Sequence, residues 1–101
     1  MKAILINTDG ITETDIENKL EELQEAVGGY IEAVRLPFHD SVMIVNEEGL
    51  LLGLKINIIA SEIANQPIVG NALILGVDGE EFTDITDDMI KFIKYRFSNR
   101  R

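Results

Sequence analysis

The chain contains no cysteine and no tryptophan. Without cysteine there can be no disulfide, thiolate nucleophile or zinc–cysteine site, and a reducing compartment is the natural setting. Histidine occurs once, at position 39. General acid–base work by it would need a partner held in space, and Asp40 and Ser41 follow it in direct succession, which is not triad geometry. The sequence has no Walker loop, no dinucleotide fingerprint and no calcium-loop spacing. The most apolar stretch, residues 50–60, is broken by Lys55 and Asn57, and crossing a bilayer takes about 20 apolar residues. The apolar run after Lys2 is too short for a signal peptide. These absences lead us to expect a cytoplasmic protein away from membranes, without catalytic residues, metal site or cofactor.

Positive charge is scarce over most of the chain. Residues 1–88 carry all 18 acidic side chains and four bases, a balance of −14. Residues 89–101 carry five bases and no acid, giving +5 and a total of −9. Binding to nucleic acid relies on a positive field over phosphates, so no direct nucleic-acid contact is expected of this acidic body. What is present suits one globular domain spanning residues 1–101: 46% hydrophobic and 27% charged residues, with no repeat or linker.

Read in order, the pattern predicts an α+β fold. It is a small mixed or mainly antiparallel sheet of about five strands, with two main helices at about 14–27 and 86–97 and a short helix near 57–65. Residues 2–6 form a buried strand that ends at the turn signal Asn7-Thr8-Asp9-Gly10. Ile16, Leu20, Leu23 and Val27 recur at helical spacing, Thr14 and Glu17 fit a capping box, and Gly28-Gly29 ends the helix. Residues 30–36 are a second strand, broken by Pro37. Residues 41–45 and 50–52 read as a hairpin across the acidic turn Asn46-Glu47-Glu48-Gly49. Asn57 caps the short helix, which Pro67 stops. Residues 68–75 are a buried strand, and Asp78-Gly79 turns into a short strand near 81–83. Thr86 or Asp84 caps the last helix, and residues 98–101 are expected to fray.

Two acidic groupings carry candidate chemistry. Glu47 and Glu48, with Glu32 on a neighbouring strand, could hold magnesium or transfer protons, although a solvated turn is the commoner use of such residues. Glu17, Glu21 and Glu25 would rise along one helical stripe about 6 Å apart, near the spacing of DNA phosphates, so a DNA-mimicking anti-restriction protein is an alternative reading.

Three strings then line up in order. They are Leu23-Gln24-Glu25-Ala26-Val27-Gly28-Gly29-Tyr30-Ile31-Glu32-Ala33-Val34; Val45-Asn46-Glu47-Glu48-Gly49 with Leu52-Gly53-Leu54 and Asn57; and Ile68-Val69-Gly70-Asn71-Ala72 with Gly76, Gly79 and Glu81-Phe82. Together they resemble domain-of-unknown-function family 3846, small proteins of phages, plasmids and their bacterial hosts. Leu54-Lys55-Ile56 departs from the proline-rich approach to Asn57 that similar members have. The resemblance implies a mobile-element setting and brings no catalytic residues. Its motif positions fall on polar residues at Glu32, Asn46, Glu47, Asn57 and Asn71. With Arg35, these are the expected ligand- or partner-binding residues. The expected function is a non-enzymatic, counter-defence binding protein that blocks a host protein or sequesters a nucleotide-like signal molecule. A homo-oligomer that shares a pocket between subunits suits a chain of this size.

Overall fold

The computed structural model describes residues 1–97; the expected fraying of 98–101 lies outside them. The strands are β1 (Lys2–Asn7), β2 (Gly10–Asp15), β3 (Ile31–Arg35), β4 (Ser41–Asn46), β5 (Ala72–Asp78) and β6 (Glu81–Thr83). The helices are α1 (Leu20–Val27), α2 (Ile58–Ala64) and α3 (Asp87–Phe97). All strand pairings are antiparallel. The sheet runs β2-β1-β5-β4-β3, with β6 paired to the far end of β5. The fold is therefore α+β with an antiparallel sheet, as the sequence suggested.

The side-chain alternation of the strands splits the core in two. On one face Ile4, Ile6, Met43, Val45 and Ile74 pack under Ala60 and Ile63 of α2 and Met89, Ile93 and Phe97 of α3. On the other, Ala3, Val42, Ile44, Leu73 and Leu75 pack under Leu23 and Val27 of α1. Being covered on both faces explains the unbroken apolar runs of β4 and β5, which are buried along nearly their whole length. Gly76 is fixed by a close crossing: a Cβ there would lie 2.1 Å from the Asp84 carbonyl oxygen.

Three expected elements are different. The strand expected at 68–75 begins only at Ala72, while Val69 makes an isolated antiparallel bridge to Ile56. The helix expected at 14–27 begins only at Leu20, because residues 10–15 form β2 and pair with β1 along its length. The Asn7 side-chain oxygen accepts from the Asp9 and Gly10 amides at 2.8 and 3.1 Å, and this turns the chain straight back. Thr12 and Thr14 then suit a strand better than a helix. The Thr14–Glu17 capping box does not form; Lys19 occupies the cap position without a side-chain bond. Ile16 still packs against the α1-side core, from an extended segment, which is why the helical spacing misled.

The hairpin expected between 41–45 and 50–52 is also absent. Both edges of β4 are taken, by β3 and β5, so no edge remains for 50–52. Residues 47–53 instead coil into a turn, with the Leu52 amide donating to Glu48 O at 2.9 Å and the Leu54 amide to Gly49 O at 3.0 Å. The ends of α2 and α3 follow expectation. Asn57 accepts from the Ala60 amide at 3.1 Å, and Thr86 Oγ1 accepts from the Met89 amide at 3.1 Å. Asp84 instead accepts from the Lys2 amide.

Candidate functional site

A groove of about 420 Å³ lies on the α2 side of the sheet beside β3. Glu32 and Val34 of β3 form its floor with Val45 of β4, and Glu47, Leu50 and Leu51 form one wall. Gln66 and Pro67 close the other side. Its lining contains two carboxylates and no basic residue.

Asn46 builds the wall. Its side-chain oxygen accepts from the Glu48 amide at 2.8 Å, and its Nδ2 donates to Val27 O at 3.2 Å. One amide thus starts the turn and anchors it to the end of α1. Gly49 allows the turn to close on the 65–69 connection, because a Cβ there would sit 2.7 Å from Val69 Cγ2. The result is an exposed apolar ridge: Leu50, Leu51 and Leu52 keep 80%, 86% and 57% of their surface in solvent. Ile56 and Ile58 are also exposed.

The six sequence candidates separate in space. Glu32, Asn46 and Glu47 meet at the groove. Asn57 is buried, and its Nδ2 donates to Ile6 O at 2.9 Å and Gly70 O at 2.8 Å while its oxygen caps α2. Both its N–H donors and its oxygen are thereby engaged with backbone. Asn71 Nδ2 donates to Ala26 O at 3.2 Å and lines a different cleft, under α1 with Glu22 and Glu25. Arg35 lies in a third hollow with Val42, Val77 and Phe82. The geometry does not bring Asn57, Asn71 and Arg35 to one ligand cavity.

The acidic groupings are rearranged as well. Glu48 is outside the groove lining that holds Glu32 and Glu47. Among the described residues no three His, Cys, Asp or Glu side chains converge to hold a metal ion. Glu17 precedes α1 and pairs with Lys19 at 2.9 Å, so the helical stripe keeps only Glu21 and Glu25. His39 takes a left-handed backbone conformation in the β3–β4 turn, with Phe38 and Phe92 ring centroids at 5.9 and 6.1 Å.

The leucine ridge escaped the sequence reading. The available signal was β4: an apolar run buried on both faces is a central strand, and a central strand offers no edge to the residues after its turn.

No helix among the described residues is long and apolar enough to cross a membrane. The fold and groove define a small α+β domain with a helix on one sheet face and two on the other. The chain belongs to the family Domain of unknown function (DUF3846), whose profile matches residues 1–98. No curated protein and no solved structure matches it.

Proposed function

We propose that this protein works by binding rather than by turnover, and that its target is a polypeptide held against the leucine ridge and the groove beside it. The observation that carries this reading is the exposure of Leu50, Leu51 and Leu52 together. An apolar cluster that stays in water, beside a polar rim, is characteristic of an interaction surface. The carboxylates of Glu32 and Glu47 would repel the phosphates of a nucleotide-like signal, and the Asn46 and Asn57 amides are already committed to backbone. A protein target therefore suits this site better than a nucleotide. In the phage and mobile-element setting that the sequence resemblance implies, blocking a host protein as a counter-defence factor is the role we assign.

Native mass spectrometry of the protein before and after incubation with a bacterial host extract tests this. The expected result is a discrete complex with one identifiable host polypeptide. It should be lost when Leu50 and Leu51 are both changed to serine, because each buried leucine contributes about 1.5–3 kcal/mol. A stoichiometric small molecule retained by the purified protein would contradict it, as would capture indifferent to those substitutions.

A further inference from the structure

The strand that floors the groove is also an edge of the sheet: among the described residues β3 pairs with β4 alone. The bonds flanking the strand fix which of its backbone groups are free. The Glu47 amide donates to Tyr30 O at 2.8 Å, and the Leu36 amide donates to Ser41 O at 3.0 Å. Antiparallel ladders alternate between bonded and non-bonded pairs. Counting inward from both ends in the observed register, Glu32 and Val34 bond to β4, while Ile31, Ala33 and Arg35 turn their N–H and C=O groups outward. The side chains divide the same way. Glu32 and Val34 face the groove, and Ile31, Ala33 and Arg35 lie on the α1 side.

We infer that this edge accepts an extended segment of the partner protein as an added strand, one whose groove-facing side chains are basic and whose alternate side chains are apolar. This deepens the binding reading above and rests on it. Strand addition draws affinity from main-chain bonds and specificity from alternate side chains. On the groove side the added strand meets Glu32, with Glu47 and the leucine wall beyond it. On the other side it meets Ile31, the small exposed Ala33 and Arg35. A lysine or arginine at every second position satisfies the first side, with its alkyl stem against the leucines, and valine-like residues satisfy the second. Charge decides against a second copy of this chain as the occupant: each copy carries a net −9 and would present the same carboxylates. The opposite edge, β2, is less suited. Its Glu13 is engaged by Lys94 of α3, and none of the exposed large apolar side chains lies on it.

The test is an amide NMR titration with three synthetic heptapeptides: one alternating lysine and valine, one alternating glutamate and valine, and the lysine–valine peptide N-methylated at every second residue. The expected result is saturable movement of the Ile31, Ala33 and Arg35 amide signals with the first peptide. The other two should bind at least about tenfold more weakly, because one reverses the charge and the other removes the main-chain donors. Ala33→Pro should weaken binding similarly without unfolding the strand, since its N–H faces away from β4 and proline is tolerated at such edge positions. Signals that move only at residues 50–52, with the outward amides still, would overturn strand addition and leave the ridge as the binding surface. Equal binding of the glutamate peptide, or no saturation by about 1 mM, would overturn the inference. So would a sedimenting dimer of the protein alone in which the outward β3 amides are already protected from exchange, since a second copy would then hold the edge.

Discussion

Removing the Asn57 side chain should cost the fold more than any other single polar deletion near the site. Asn57→Ala leaves Ile6 O, Gly70 O and the Ala60 amide without the bonds they now make at 2.9, 2.8 and 3.1 Å. The bonds to Ile6 and Ala60 are buried and the one to Gly70 is partly buried. A buried polar group left unpaired costs about 1–3 kcal/mol, so the sum is about 4 kcal/mol after partial solvation of Gly70 O. That is about a quarter or more of the roughly 5–15 kcal/mol expected of a domain. In urea unfolding followed by circular dichroism, the midpoint should fall by roughly 2–3 M. Asn57→Asp separates the two roles of the amide. It keeps the cap acceptor but sets a carboxylate against two carbonyl oxygens, which raises the folded-state pKa of the introduced group. The stability lost is thus largest at neutral pH, and the deficit relative to Asn57→Ala shrinks as pH falls and that carboxylate protonates in the folded state. A loss below about 1 kcal/mol for Asn57→Ala, or wild-type stability of Asn57→Asp at pH 7, would refute the reasoning.

Three further outcomes follow from the same geometry. Gly76→Ala should cost about 3 kcal/mol or more, because the added methyl meets the Asp84 backbone rather than a movable side chain; thermal melting should drop by at least about 12 °C. Asn65 closes α2 at φ 55°, so Asn65→Gly should stay within about 0.5 kcal/mol of wild type, while Asn65→Ala should lose about 1 kcal/mol in the same denaturation assay. Changing Leu50 and Leu51 together to serine should alter stability by no more than about 0.5 kcal/mol per site, since both are exposed; a large loss would mean that the ridge belongs to the core.

The sequence was most legible where local chemistry and burial agree. Asn57 and Thr86 read correctly as caps, and Asp78-Gly79 read as the turn between β5 and β6. Of the run 68–75 expected as one buried strand, only residues 72–75 lie in β5; residues 68–71 are the connection that leads into it, with Val69 bridged to Ile56. Legibility failed where tertiary pairing overrides periodicity. Ile16 keeps helical spacing with Leu20 and Leu23, yet pairing of residues 10–15 with β1 holds the preceding chain extended. Residues 50–52 resemble a strand in isolation, and only the occupied edges of β4 deny them one. Glu32, Asn46 and Glu47 were singled out as polar motif positions of the family resemblance, and the β3–β4 pairing and the turn after it bring them to one groove. The different duties of Asn46 and Asn57, as clamps on Val27 O, Ile6 O and Gly70 O, depend on long-range contacts that no local pattern encodes.

The most direct test of the binding account is hydrogen–deuterium exchange on the protein with and without its captured polypeptide partner. The account predicts slowed exchange in residues 31–35 and 47–58, with α1 and α3 unchanged. Protection concentrated instead on α1, around Glu21, Glu22 and Glu25, would contradict it and move the binding surface to the acidic helix.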